Sequence, residues 1–293
     1  MKIYRAETLG MCFGVRDALK VAQGVVEPTR VTIYGQLVHN ETLLVELGRR
    51  GFAACPEEKR LMPTTDTVLI TAHGISDAER GRLEAAGKQL IDTTCPLVRR
   101  VHQAAAELAR DSFHVLVLGR RTHVEVRGVI EDLRSFDVIE SADQVRSFPH
   151  ERLGIVCQTT MPPWLVRRLV EQIHADNPGR EIRFVDTVCQ PTRDRQRALD
   201  ELLPLVDVLV VVGGRHSNNT RELVARSMER GVAAHHVQGP ADLDPSWFHN
   251  CNAVGLTAGT STLDRTIDEV HEALAKLARL SEGVNPEAHA VRE

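Results

Sequence analysis

Short apolar runs alternate along the chain with longer stretches of helical periodicity. The runs are apolar on both faces, as in strands of a parallel sheet that helices cover on either side. The candidate strands are 31–34, 67–71, 114–118, 153–157, 207–212 and 252–256. The candidate helices are 14–26, 40–50, 77–86, 97–110, 163–175, 193–203, 219–230 and 262–280. Strand followed by helix, repeated in this way, predicts an α/β fold with mostly parallel sheets and right-handed crossovers.

Length and composition limit the classes of function that are open to the chain. Its 293 residues suffice for about two domains, with one or three also compatible with that length. Lys and Arg number 36 against 40 Asp and Glu, which argues against binding of nucleic acid through a basic surface. Aromatic residues make up only 4% of the chain, so a platform for stacking bases is not expected either. We therefore expect no nucleic-acid partner.

The sequence predicts neither a membrane span nor a secretion signal. The longest apolar runs are short, such as 208–212, whereas a membrane helix needs about 20 apolar residues. Residues 1–7 are strand-like but charged, and they lack the apolar segment of a signal peptide. We therefore expect no membrane partner and a cytoplasmic location.

Three of the six cysteines share a setting. Cys12, Cys95 and Cys189 each stand at a predicted strand-to-helix junction, and the last two share the pattern Asp-Thr-x-Cys before a basic helix. This repetition predicts three comparable α/β units, followed by a flexible polar tail. The predicted segments are 13–95, 96–189, 190–280 together with 1–12, and the tail 281–293.

The chemistry of three such thiols has more than one interpretation. A helix N-terminus lowers the pKa of a thiol and favours the thiolate that binds metals. Three thiolates could hold an iron–sulfur cluster with one open iron or a zinc ion with an open position, and unrelated buried thiols are the third alternative. The spacing does not choose among them, because the chain has no Cys-x-x-Cys pair. Cys55, Cys157 and Cys251 lack this setting and are interpreted as structural.

Polar side chains follow each predicted strand, and ligands of α/β proteins bind at that end of the strands. They are His39, His73, His123, Glu125, Thr159, Thr160, Ser217, Asn219 and Ser261. Histidines and small polar residues near helix starts suit a phosphate, although Ser261 could equally be a simple helix cap. Glu125 is the acid of this set and could be a proton donor or a surface glutamate. Nucleotide-binding glycine motifs are absent from the sequence.

Nine segments between residue 10 and about residue 262 closely resemble the LytB (IspH) family of 4-hydroxy-3-methylbut-2-enyl diphosphate reductases. The segments are GMCFGV, QLVHN, AHGIS, DTTCPLV, THVEVRG, QTTM, VCQPTRDRQ, GGRHSNNT and LTAGTST. The resemblance implies a trefoil of three α/β units around a central cavity. It also implies reductive removal of an allylic hydroxyl, which yields isopentenyl and dimethylallyl diphosphate in the last step of the non-mevalonate pathway.

The resemblance further implies a role for each matching residue. Cys12, Cys95 and Cys189 would hold one [4Fe-4S] cluster with an open iron site, and Glu125 would deliver protons, with His123 and Thr159 also in the catalytic set. The substrate-binding residues would be His39, His73, His123, Thr159, Ser217, Asn218, Asn219 and Ser261. Ferredoxin or flavodoxin would supply electrons, and we expect a basic docking patch that includes Arg99, Arg100, Arg193 or Arg195.

Two other classes of protein remain as alternatives. The first is a paralogous iron–sulfur protein with an altered substrate, or a non-catalytic sensor of iron or oxygen. A sensor has no need of Glu125, Thr159 and the anion-binding set. The second is a zinc hydrolase of phosphorylated compounds, but three cysteine ligands without histidine would make a poorly acidic zinc.

Overall fold

Three four-stranded sheets form the framework of the part of the chain that the structure describes. The computed structural model describes residues 1–57 and 60–283. The strands are β1 (Lys2–Arg5), β2 (Val31–Tyr34), β3 (Ala53–Ala54), β4 (Thr67–Ile70), β5 (Gln89–Asp92), β6 (His114–Leu118), β7 (Phe136–Ile139), β8 (Arg152–Cys157), β9 (Glu181–Phe184), β10 (Val208–Val212), β11 (Ala233–Val237) and β12 (Ala253–Ala258). The sheet orders are β1-β12-β10-β11, β3-β2-β4-β5 and β7-β6-β8-β9, and the paired strands run parallel. This confirms the predicted α/β class.

Helices connect the strands, as parallel pairing requires. The α-helices of the described residues are α1 (Phe13–Gln23), α2 (Glu41–Arg49), α3 (Asp77–Ala85), α4 (Pro96–Arg110), α5 (Val124–Glu131), α6 (Pro163–Asp176), α7 (Gln190–Leu202), α8 (Asn218–Glu229) and α9 (Asp264–Gly283). None of the helices in the described part of the chain combines the length and the apolar character that a bilayer span requires.

The six strands that the sequence predicts are the two inner strands of each sheet, β2 and β4, β6 and β8, β10 and β12. Inner strands are buried on both faces, so their apolar runs stand out in the sequence. Edge strands are partly exposed and mixed in composition; β9, for example, has the sequence EIRF. Apart from the strand-like N-terminus, the apolar pattern therefore does not predict them.

Helix α5 is also missed by the sequence pattern. Its sequence, VEVRGVIE, combines a glycine with β-branched residues, and both have low helix propensity. Tertiary contacts stabilise the helix instead, because Val126 and Val129 pack into an apolar cluster with β6. The helix matters for function because Glu125 lies in its first turn.

The sheet β7-β6-β8-β9 shows why an inner strand needs a continuous apolar run. Along β6, Val115 and Val117 pack with residues of α4 in one cluster, whereas Leu116 and Leu118 pack with residues of α6 in another. Successive side chains of a strand point to opposite faces, so one run serves both clusters.

The chain forms two compact units. The first consists of residues 1–12 with the segment from Asp194 onward, and it contains the sheet β1-β12-β10-β11. The second, Phe13–Arg193, contains the other two sheets. Each sheet falls within one of the three predicted segments, whose boundaries stay a prediction. Helix α9 includes residues 281–283 of the predicted tail, and residues 284–293 lie outside the described residues.

We expect Leu116→Ala to lower the free energy of unfolding by about 2–5 kcal/mol, because it opens a cavity in a fully buried cluster. Urea denaturation followed by circular dichroism measures the change. Val26 is 92% exposed, so Val26→Ala should change the same quantity by less than about 0.5 kcal/mol. Equal losses in both variants would contradict the cavity as the cause.

Candidate active site

The polar residues selected from the sequence lie where the inner strands end. In chain order they are His39 after β2, His73 after β4, His123 after β6, Thr159 after β8, Ser217 after β10 and Ser261 after β12. Each therefore lies at the carboxyl edge of its own sheet. This is the edge at which α/β proteins bind ligands.

Three histidines of the unit Phe13–Arg193 come together. The ring centroids of His39 and His73 are 4.4 Å apart, and the His123 ring lies 5.2 Å from His39 and 5.5 Å from His73. Each residue offers a nitrogen within 4.8 Å of those of the other two. Such a trio could bind a metal ion through nitrogen lone pairs or an anion through N–H groups. The proton positions distinguish the two ligands.

The position of the proton on His123 favours an anion. His123 caps α5, and its Nδ1 accepts a hydrogen bond from the backbone N–H of Glu125 at 3.2 Å. A backbone N–H only donates, so Nδ1 must be unprotonated and the neutral ring carries its proton on Nε2. That Nε2–H can donate to an anion but has no lone pair for a metal ion.

Burial keeps His73 neutral. Removal from water lowers the pKa of His73 well below its usual value, and the nearby His39, His123 and Arg60 lower it further. Its Nε2 atom is buried and has no hydrogen-bond partner among the described residues. Because an unsatisfied buried polar atom costs free energy, this nitrogen indicates a ligand from outside the chain.

Residues that the sequence pattern does not predict orient His39. The Oε1 atom of Gln36 lies 3.1 Å from Nδ1 of His39. The backbone N–H of Gln36 donates to Glu57 at 2.7 Å, and Glu57 pairs with the Arg60 guanidinium at 2.7 Å. Gly35, with φ of +104°, leaves the space: a Cβ there would lie 2.7 Å from a Glu57 carboxylate oxygen. Gln36 lies only three residues before His39 in the sequence, whereas no local sequence pattern indicates that Glu57 or Arg60 lies behind it.

Glu125 is a buried acid whose two carboxylate oxygens are both held by Thr159. The backbone N–H of Thr159 donates to Oε1 at 2.6 Å, and the Thr159 hydroxyl donates to Oε2 at 2.8 Å. Burial raises the pKa of Glu125 to about 7, although the bonds from Thr159 oppose the shift. Near neutral pH the protonated and ionised forms are thus both populated, as proton transfer requires.

Hydrogen bonds connect two of the cysteine-bearing turns to these polar turns. The N–H of Cys189 donates to the carbonyl of Thr159 at 3.0 Å. The N–H of Cys95 donates at 3.1 Å to the carbonyl of Ala72, which immediately precedes His73. Within the unit Phe13–Arg193, each candidate ligand is therefore tied to a turn that carries a candidate substrate-binding residue.

The thiols of Cys95 and Cys189 fit the role of metal ligands. Both are partly exposed, neither forms a disulfide, and they stand at the starts of α4 and α7. Space for Cys95 depends on Gly14, because a Cβ on that glycine would lie 2.5 Å from the Cys95 Sγ. Accessible thiols at helix N-termini favour the thiolate, the form that binds iron in clusters.

In the other unit, Asn219 joins two polar turns. Ser217 is the N-cap of α8, and Asn219 accepts the N–H of Thr260 through Oδ1 at 3.1 Å. The Nδ2 of Asn219 is buried with no hydrogen-bond partner in the part of the chain that the structure describes. Asn218 and Ser261 are buried as well. This donor, like Nε2 of His73, indicates an external acceptor.

Cys12 is tied to the same turn as Asn219. Its N–H donates to the carbonyl of Thr260 at 3.1 Å, and the N–H of Thr260 donates to Asn219. Cys12 is partly exposed and directly precedes α1, so its setting resembles those of Cys95 and Cys189.

The other three cysteines are in settings that keep the thiol protonated. Burial raises the pKa of Cys55, Cys157 and Cys251. Cys157 is completely buried at the end of β8. A protonated thiol is a poor metal ligand, which supports the structural interpretation of these residues.

One expectation about the docking patch is wrong. Arg195 is only 3% exposed, and its guanidinium donates to a backbone carbonyl, so it does not belong to a surface patch. Arg99 and Arg193 are partly exposed but form ion pairs with Asp92 and Asp186. The helical register alone does not reveal that Arg195 points inward.

Comparison with known proteins decides the family. A model of the LytB protein family matches residues 3–275. The chain belongs to the LytB family. One LytB relative, the 4-hydroxy-3-methylbut-2-enyl diphosphate reductase of Aquifex aeolicus, is 33% identical over 279 residues, which cover 93% of this chain and 95% of that protein. The protein of the same name from Sulfurovum sp. is 32% identical over 282 residues, or 94% of this chain and 100% of that protein.

A solved structure supports the LytB assignment at the level of the fold. The E-1-hydroxy-2-methyl-but-2-enyl-4-diphosphate reductase from Plasmodium falciparum matches with a TM-score of 0.85 at 26% sequence identity. The match covers 94% of this chain and 88% of that chain. The family resemblance expected from short segments is therefore confirmed over nearly the whole length.

The raised pKa of Glu125 predicts a dependence of stability on pH. As pH rises from 4.5 to about 7, Glu125 ionises in the unfolded chain but stays protonated in the folded one. The unfolded state then binds fewer protons, so stability falls with rising pH over this window, by about 3 kcal/mol at most. Urea denaturation of metal-free wild type and Glu125→Gln across this range measures the difference, which should increasingly favour the variant. A difference that does not vary with pH would contradict the shift.

Proposed function

We propose that this chain is a 4-hydroxy-3-methylbut-2-enyl diphosphate reductase. It would remove the allylic hydroxyl of that diphosphate as water and yield isopentenyl and dimethylallyl diphosphate. The observation that carries the proposal is the joint placement of a buried acid, Glu125, with a cluster of imidazoles suited to an anion. His123 belongs to that cluster and also caps the helix that carries Glu125. Relatives of that name align with nearly the whole chain, which supports the proposal.

We propose Cys12, Cys95 and Cys189 as the ligands of one [4Fe-4S] cluster with an open iron. Their places at helix starts and the space that Gly14 leaves for the Cys95 thiol support this choice. When bound, such a cluster would supply electrons and an iron that acts as a Lewis acid toward the allylic hydroxyl.

Protons must reach both the departing hydroxyl and the carbon skeleton, and Glu125 is the proposed donor. With a pKa of about 7, it can release a proton and take up another near neutral pH. Thr159 holds both oxygens of the carboxylate, which fixes the direction in which the proton is offered. We assign Thr159 a second role in contacting the hydroxyl region of the substrate.

The diphosphate would bind to neutral hydrogen-bond donors. The Nε2–H of His123 could donate to it, as could the buried Nε2 of His73 and the buried Nδ2 of Asn219. The full proposed set is His39, His73, His123, Thr159, Ser217, Asn218, Asn219 and Ser261. Anchoring the non-reacting end of the substrate in this way would orient its hydroxyl and reduce the entropic part of the barrier. A small electron-transfer protein such as ferredoxin or flavodoxin is the proposed donor of electrons.

Anaerobic purification followed by iron and sulfide analysis tests the proposal. We expect about four irons per chain and turnover of 4-hydroxy-3-methylbut-2-enyl diphosphate with a chemical reductant. A complete cluster without turnover in the wild-type protein would favour the non-catalytic sensor instead. Zinc in place of iron would contradict the proposed chemistry altogether.

Glu125→Gln separates proton delivery from cluster binding. The amide keeps the size of the side chain but cannot donate the proton, so we expect an unchanged iron content and a kcat lowered by at least about 100-fold. Glu107→Gln, on the exposed face of α4, is the matched control and should retain full activity. Wild-type turnover by Glu125→Gln would remove this residue from the mechanism.

A further inference from the structure

The turns that carry Cys95 and Cys189 are built on the same hydrogen-bond plan. In each, the residue two positions before the cysteine is a threonine whose hydroxyl donates to the last residue of an inner strand. Thr93 donates to Ile70, and Thr187 donates to Cys157, both at 2.6 Å. The cysteine N–H then donates to the carbonyl two residues beyond that strand end. The Asp-Thr-x-Cys repeat of the sequence is thus also a repeat in three dimensions.

An ion pair closes each turn onto the helix that follows it. Asp92 accepts the N–H of Thr94 at 2.9 Å, and its second oxygen lies 3.0 Å from the guanidinium of Arg99. In the second turn Asp186 accepts the N–H of Val188 at 3.2 Å and pairs with Arg193 at 2.5 Å. Both arginines stand four residues after the cysteine, in the first turns of α4 and α7.

The turn at Cys12 lacks this aspartate–arginine ion pair. Leu9 stands three residues before Cys12, where the other two turns have aspartate, although Arg16 stands four residues after it. The N–H of Cys12 nevertheless donates to a carbonyl two residues beyond a strand end, that of Thr260 after β12. The aspartate–arginine pair is therefore an addition to two of the three turns and not a requirement for forming one.

The pairs contribute little to overall stability, because their side chains are partly exposed. Arg193 is 33% and Asp186 45% exposed, and ion pairs of that kind add little to the free energy of unfolding. Their effect is local instead: the carboxylate joins the backbone before the cysteine to the helix after it. Such contacts behind a metal ligand commonly set its orientation and the strength of metal binding.

We propose that Asp92–Arg99 and Asp186–Arg193 are positioning clamps, which hold the thiols of Cys95 and Cys189 in place as preorganised ligands of the cluster. The inference rests on the proposed function, since it requires that these cysteines bind a cluster. The proposal gives these four residues a role in cluster binding: they would contact neither substrate nor metal and would act through the two cysteines.

The two clamps differ in the number of arginines that pair with the aspartate, so the same substitution is expected to affect them differently. Asp92 also pairs with Arg80 at 2.5 Å, so loss of Arg99 leaves one arginine on this carboxylate. Among the described residues, Arg193 is the arginine paired with Asp186. Arg193→Gln should therefore weaken cluster binding more than Arg99→Gln does.

The experiment measures the rate at which an iron chelator removes iron from the anaerobic holoprotein. We expect Arg193→Gln and Asp186→Asn to raise that rate by about tenfold or more, Arg99→Gln to raise it less, and Asp186→Glu to restore part of the wild-type rate. The electron paramagnetic resonance spectrum of the reduced cluster should shift in Arg193→Gln. Glu181→Gln is the control, because it removes a similarly exposed ion pair, between Glu181 on β9 and Arg152 on β8, and neither residue belongs to a cysteine turn.

The possible results separate the inference from its premise and from a folding defect. If the wild-type protein takes up no cluster, the proposed function fails and the clamps fail with it. If the wild type holds a cluster and Arg193→Gln releases iron at the wild-type rate with an unchanged spectrum, only the clamps are refuted. If Arg193→Gln lowers the melting temperature of the metal-free protein, a general loss of stability explains the faster iron release, and the inference is overturned. An equal shift of the spectrum in Glu181→Gln would overturn it as well.

Discussion

Parallel pairing of the inner strands determines where the polar residues of the candidate site lie. Helices cover both faces of a parallel sheet, so inner strands such as β6 and β8 are apolar beyond their first residue. Polar side chains therefore concentrate where the strands end, and in a parallel sheet those ends share one edge. For this reason His123 after β6 and Thr159 after β8 belong to one edge, although 35 residues of chain, including α5, lie between them.

At these strand ends, the positions of the protons are set by the surroundings of each side chain more than by its residue type. Burial keeps His73 neutral, and a backbone N–H places the proton of His123 on Nε2. Burial also raises the pKa of Glu125 to about 7, although two hydrogen bonds from Thr159 oppose the rise. The result is a group of neutral donors beside an acid that exchanges its proton near neutral pH. Neutral N–H groups of this kind can bind a polyanion through hydrogen bonds.

The parts of the fold that could be predicted are those whose signal is local. The apolar run of β10 and the helical periodicity of α4 both appear in their own residues. Edge strands such as β9 are half-exposed and give no such signal, and α5 escapes prediction because its β-branched residues favour a strand when considered alone. The support behind His39 escapes prediction for a different reason, since Glu57 and Arg60 are brought to it by contacts that no spacing encodes.

Sequence alone predicts the α/β class, the inner strands, and the polar and cysteine residues that follow them, because periodicity and strand-end position are properties of neighbouring residues. The repeated Asp-Thr-x-Cys segment is likewise a property of the sequence alone. Folding adds three properties that the sequence does not predict: Arg195 is buried, Arg99 and Arg193 pair with the aspartates of the cysteine turns, and the pKa of Glu125 rises to about 7. Those properties depend on which remote groups exclude water or donate hydrogen bonds, and such neighbours exist only once the chain has folded.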